Sequence, residues 1–283
     1  MPVARIAVVG AGTMGHGIAQ VALQAGYTVS LCDSAPEVLE RGAAMVRSGL
    51  EKGVEKGRLA PADRDAALAR LATTTDTGAA AAGADLVIEA VPERMDIKLP
   101  VFALLEEAAA PGTILASNTS SLSIGALAAG LRHPQRFLGM HFFNPVPVMT
   151  LLEIVVHRGT APDVLAAARQ TGERMGKTCI VVNDSPGFAS SRLGVALGLE
   201  AMRMVEEGVA SPADIDAAME LGYRHPMGPL RLTDLVGLDV RLGIAEYLHE
   251  ALGSETFRPP RILRDMVREG RLGKKTGRGF YEW

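Results

Sequence analysis

Two ionisable residues flank a proline-broken turn in LGMHFFNPVPVMTLLEIV (residues 138–155), with His141 before the turn and Glu153 beyond it, each inside an apolar run. A histidine, whose ordinary pKa is about 6.5, exchanges protons near neutrality and can take the hydroxyl proton of an alcohol as hydride leaves the same carbon. A carboxylate on its second ring nitrogen would fix the tautomer and stabilise the imidazolium. The NPVP turn permits the two strand ends to lie side by side, which would make Glu153 that carboxylate. On spacing alone, a hydrogen-bonded core histidine and a solvated strand-end glutamate fit as well.

A second constellation is GAGTMG, with Gly10, Ala11, Gly12, Thr13, Met14 and Gly15, lying between the apolar run RIAVVG and the helical run GIAQVALQAG. A glycine pattern in this strand-to-helix setting permits a tight turn, close approach of a pyrophosphate and close helix–strand packing. The helix N-terminus supplies amide donors and a partial positive charge. The second predicted strand ends in Asp33, at the spacing where a dinucleotide fold places a carboxylate on the adenosine ribose. That carboxylate would repel a 2′-phosphate, and the following SAPE offers no arginine to offset it, so the expected cofactor is NAD rather than NADP.

These residues need a frame. Short β-branched or apolar runs recur at 5–10, 28–33, 86–91, 114–118, 137–142, 151–156 and 179–183, mostly separated by helix-like segments, which implies a parallel sheet covered on both faces. The Ala/Arg/Glu-rich stretch 38–71 reads as a helical pair inserted between the second and third of these strands. From Asp184 the alternation stops and helical runs follow at 187–208, 211–222, 233–253 and 258–270; the start of the second combines Ser211 as N-cap, Pro212 at the first helical position and Asp214. The fold predicted is therefore α/β, a Rossmann-type, mostly parallel sheet over 1–184 followed by an all-helical C-terminal domain over 185–283.

Composition narrows the function classes. Hydrophobic residues make up 48% of 283, charged residues 22%, and the net charge is -3, so there is no global basic field to hold nucleic acid or anionic lipid. The two cysteines, Cys32 and Cys179, have neither metal-ligand nor CxxC spacing, and no metal is expected. The chain reads directly into a strand, with no charged leader and apolar signal core and no run of about 18 apolar residues, which predicts a cytoplasmic protein with no membrane partner.

GAGTMG, EAVPER, SNTSSL, HFFNPVPVM, LLEIV, NDSPGF, HPMGPLRLTDLVGLD and GKKTGRGFYEW together resemble the L-3-hydroxyacyl-CoA dehydrogenase family, from residue 5 to 283. The resemblance implies reversible NAD-dependent oxidation of a short-chain L-3-hydroxyacyl-CoA in a homodimer. It makes His141 the catalytic base and Glu153 the residue that orients it, and it sets Ser120 between nicotinamide and substrate. Glu93, Lys98, Asn144 and Lys275 match cofactor contacts. Lys56 matches a lysine that contacts CoA, with Lys52 one turn earlier on the same face.

Two positions depart from the family pattern. Gly49 stands where a serine often contacts CoA, and Ser191 where an asparagine after SPGF contacts the reacting part of the substrate. A free hydroxy acid or sugar acid, as in the related gulonate dehydrogenase and lambda-crystallin group, would suit the same dyad. A catalytically silent nucleotide-binding protein would keep the cradle, but the intact Ser120, His141 and Glu153 set argues against it.

Overall fold

The computed structural model describes residues 2–283 and divides into two compact units, one ending at Ser185 and the other Pro186–Trp283. The first is built on one eight-stranded sheet in the order β3-β2-β1-β4-β5-β6-β7-β8. The strands are β1 (Arg5–Val9), β2 (Thr28–Cys32), β3 (Leu71–Thr74), β4 (Leu86–Glu89), β5 (Ile114–Ser117), β6 (Phe137–Phe142), β7 (Leu151–Val156) and β8 (Thr178–Asn183). All neighbours run parallel except β6 and β7.

Burial explains the continuous apolar strands. Every residue of β4, β5 and β6 is buried, as befits central strands covered on both faces by helices. The helices of this unit are α1 (Gly15–Gln24), α2 (Pro36–Glu55), α3 (Pro61–Ala69), α4 (Thr77–Ala82), α5 (Met95–Ala108), α6 (Ile124–Ala128) and α7 (Pro162–Arg174). Ile18, Val46, Leu50 and Val164 join Val8, Leu31 and Ile88 of the sheet in one core. The inserted helical pair is present as α2 and α3, but the sequence reading missed β3. Its LATT has a half-buried, half-exposed pattern at the sheet edge and lacks the apolar run that marks the central strands.

The second unit consists of α8 (Ser190–Glu206), α9 (Pro212–Ala217), α10 (Pro229–Val236), α11 (Leu238–Leu252) and α12 (Arg261–Arg268), with a π-helical turn at Ala218–Gly222 extending α9. Ser211 caps α9 by accepting from the Asp214 amide, as its sequence signal implies. The single helix expected over 233–253 is instead two. Gly237, at φ 102°, breaks the run in a conformation that a side chain would strain. Leu199, Met202, Leu230, Leu238, Leu248 and Leu263 form the core of this unit.

Candidate active site

The glycine turn closes β1 onto α1. A Cβ on Gly10 would stand 2.5 Å from the Ala90 carbonyl oxygen, and one on Gly15 would stand 1.7 Å from the Gly10 carbonyl oxygen, so both positions exclude any side chain. Gly12 differs. A Cβ there meets nothing within 4 Å, and Gly12 and Thr13 are exposed at the mouth of a cleft of about 570 Å³ lined also by Asp33, Ser34, Val38, Thr77 and Ile97. Among the described residues no side chain caps α1, and none in its first turn is acidic. The turn therefore fits a pyrophosphate, offering open backbone at Gly12 and a helix N-terminus with no acidic residue in its first turn.

Asp33 follows β2 directly. Its Oδ2 accepts from the Ala11 amide at 2.9 Å and its Oδ1 from the Ala35 amide at 3.0 Å. The carboxylate thus holds the glycine turn and the chain leading into α2, and Asp33 lines the cleft.

A second cleft, about 390 Å³, shares Met14, Ala90 and Val91 with the first and adds Glu93, Asn118, Ser120, His141, Phe143 and Asn144. The β6–β7 ladder pairs His141 directly with Glu153. His141 Nδ1 donates to Glu153 Oε2 at 2.7 Å; His141 is 6% exposed and Glu153 wholly buried. The strands are antiparallel, so the proline turn returns the chain alongside itself and brings residues 141 and 153 to the same rung and the same face. With Nδ1 committed to the carboxylate, Nε2 is the acceptor nitrogen of the neutral ring.

Opposite the dyad, Glu93 gathers the 119–121 turn. Its Oε1 accepts from Thr119 Oγ1 at 2.6 Å, Ser120 N at 2.7 Å, and Ser121 N and Ser120 Oγ at 3.1 Å. Burial pushes the Glu93 carboxyl up, but the Thr119 hydroxyl, the Lys98 charge and the Ser120 amide and hydroxyl outweigh it and hold the group below its ordinary value. The Asn118 side chain accepts from the Phe142 amide at 2.9 Å, tying this turn to the end of β6. Asn144 lines the same cleft, and its bond to Pro145 is cis.

Lys98 is only 1% exposed and lines neither cleft, so it lies deeper than a surface cofactor contact would. Its Nζ is 2.5 Å from Glu89 Oε1, 3.4 Å from Glu93 Oε2 and 3.2 Å from the Val91 carbonyl. Glu89 carries no role in the sequence reading, where it lies inside the apolar run 86–91 and opens EAVPER; in the structure it ends β4. Only its partner, nine positions along in α5, marks it. Also unforeseen is the buried Lys177, which donates to the carbonyls of Val146 and Met149 and pins the turn between the dyad strands. Burial lowers its pKa.

Of the remaining expected positions, those in the first unit line neither cleft. Lys52 is in the last turn of α2 and Lys56 is its C-cap; both are exposed, and both also suit the negative end of the helix. Gly49 faces inward. A Cβ there would stand 2.1 Å from Oε1 of the buried Gln20 in α1, so a side chain at 49 would have to push the end of Gln20 aside. In the second unit, Ser191 is half-buried in the first turn of α8, and Lys275 pairs with Asp239, 2.6 Å from its Oδ2.

The family model of the 3-hydroxyacyl-CoA dehydrogenase NAD binding domain matches residues 5–185, and that of the 3-hydroxyacyl-CoA dehydrogenase C-terminal domain matches 187–283. The chain belongs to the 3-hydroxyacyl-CoA dehydrogenase family. Its relatives in this family include the probable 3-hydroxybutyryl-CoA dehydrogenase of Bacillus subtilis, 45% identical over 283 residues, covering 100% of this chain and 98% of that protein. The 3-hydroxybutyryl-CoA dehydrogenase of Mycobacterium tuberculosis is 44% identical, with 99% and 98% covered. The crystal structure of (S)-3-hydroxybutyryl-CoA dehydrogenase from Ralstonia eutropha superimposes with a TM-score of 0.96 at 40% identity, with 99% of each chain covered. As a member of this family the protein is an NAD-dependent oxidoreductase, and the first unit is its NAD-binding domain.

Proposed function

We propose that this dehydrogenase interconverts a short-chain L-3-hydroxyacyl-CoA and the corresponding 3-oxoacyl-CoA, with His141 as general base. The observation that carries the reading is the buried His141–Glu153 pair on the wall of a cleft that shares its lining with the glycine cradle. Nicotinamide, when bound, accepts or delivers the hydride. His141 Nε2 takes the hydroxyl proton in the oxidative direction and returns it in the reductive one, while Glu153 stabilises the imidazolium and holds the ring plane. Ser120, held by Glu93, supplies a hydroxyl on the same cleft toward the substrate oxygens. Lys52 and Lys56 offer exposed ammonium groups to the phosphates of CoA. Exposed apolar side chains of the second unit, Leu193, Leu232, Leu235, Val236 and Val240, support assembly as a homodimer, which sedimentation analysis measures.

The test is the loss of NADH absorbance with acetoacetyl-CoA against acetoacetate and sugar acids. The thioester is expected to turn over fastest, and a free acid matching it in kcat/KM would sink the acyl-CoA assignment. With Asp33 at the ribose end of the cradle, NADPH is expected to be a poor replacement for NADH in the same assay, because its extra phosphate would bring about two negative charges beside a carboxylate.

A further inference from the structure

We propose that Glu89, at the buried end of β4, is a positioning residue that sets the Glu93–Ser120 corner of the active site; the inference rests on the dehydrogenase reading above. Lys98 is an ammonium taken out of water, and an uncompensated buried charge is costly, so its position follows its counter-charges. Two carboxylates are within reach. Glu89 Oε1 is at 2.5 Å and Glu93 Oε2 at 3.4 Å. Because Glu89 holds Lys98 from the sheet side, Glu93 is not drawn fully onto the ammonium, and its Oε1 stays with the Thr119, Ser120 and Ser121 donors.

The same carboxylate grips the turn from its other end. Glu89 Oε2 accepts from Ser117 Oγ at 2.7 Å, and Ser117 Oγ in turn accepts from the Thr119 amide at 3.3 Å. Glu89 Oε1 also accepts from the amide of Val91, which lines both clefts, at 2.7 Å. One wholly buried side chain therefore fixes Val91, the 117–121 turn and, through Lys98, the carboxylate that orients Ser120. Its side chain bonds to none of Gly10, Gly12 and Asp33, so it reaches the adenosine half of the cradle only through Val91.

Glu89→Gln keeps the volume and one acceptor but removes the charge. Lys98 is then expected to draw Glu93 Oε2 inward and pull Oε1 off Ser120. The NADH dissociation constant, read by fluorescence, should rise about 10-fold and kcat with acetoacetyl-CoA should fall at least about 10-fold, the scale of losing one hydrogen bond to a charged group. ADP-ribose, which fills only the cradle side, should bind within about twofold of wild type, a result that a general loosening of the sheet would not give.

Should Glu89→Gln fail to fold, Ser117→Ala removes only the link from Glu89 to the turn and should show the same pattern at about 2- to 5-fold. NADH affinity and kcat both within about twofold of wild type, or ADP-ribose affinity falling in step with NADH, would overturn the assignment. A wild-type enzyme inert toward acetoacetyl-CoA would instead reject the acyl-CoA reading, leaving the two binding measurements to decide the role of Glu89.

Discussion

At the scale of single residues the chemistry rests on a proton acceptor whose second nitrogen is already spoken for. His141→Gln keeps a polar side chain in the cleft but removes the base, and kcat is expected to drop by about 10²- to 10⁴-fold. NADH affinity should change little, since His141 is on β6 whereas the glycine turn and Asp33 follow β1 and β2. Stopped-flow turnover and NADH titration of the same preparation check both halves, and a variant keeping a tenth of wild-type kcat would remove His141 from the role. Glu153→Gln should act less completely, because it orients and stabilises without carrying the proton. These residues were legible because each interrupts a pattern: an ionisable group within an apolar strand, or glycines where a helix should begin. Glu89 was not legible. It too interrupts an apolar run, but its lysine sits in a different element and no turn joins them, so only burial of both reveals the pair. Asp33 was legible in position but not in full, because its bonds to the Ala11 and Ala35 amides also give it a part in shaping the turn.

At the scale of elements, what could be read was hydrophobic continuity, and what could not was close packing between helices. The central strands declare themselves because both faces are covered; β3 does not, because an edge strand of four residues has no such run. Gly49 illustrates the second case. Against the family it reads as a missing contact, whereas the contact between α1 and α2 makes it the space that Gln20 fills. Gly49→Ser is accordingly expected to displace the end of Gln20 and destabilise the fold by about 1 kcal/mol, the low end for overpacking, and to bring no gain in acyl-CoA affinity. Thermal melts with Gln20→Ala added should show the penalty shrinking. If Gly49→Ser lowers KM for the acyl-CoA without a loss of melting temperature, position 49 faces the substrate after all.

At the scale of the molecule, the end of the strand–helix alternation near Asp184 is readable because a doubly covered sheet and a helical unit bury their apolar residues with different periods. What holds the helical unit closed is less visible. Asp234, 1% exposed, accepts from the Phe280 amide, the Tyr281 amide and the Trp283 indole, each at 2.9 Å, and so fastens the C-terminal segment GFYEW to α10. Asp234→Ala strands these donors and is expected to cost about 2–5 kcal/mol, measured by denaturant unfolding; a change below about 0.5 kcal/mol would mean the segment is held by other contacts. The direct rung between His141 and Glu153 has a consequence for the population of molecules. Side chains alternate faces along a strand, so a sheet zipped one residue out of step at this ladder would send the base and its carboxylate to opposite faces. No half-measure exists between the two registers, and the specific activity of a refolded sample becomes a census of the chains whose strands have closed in step.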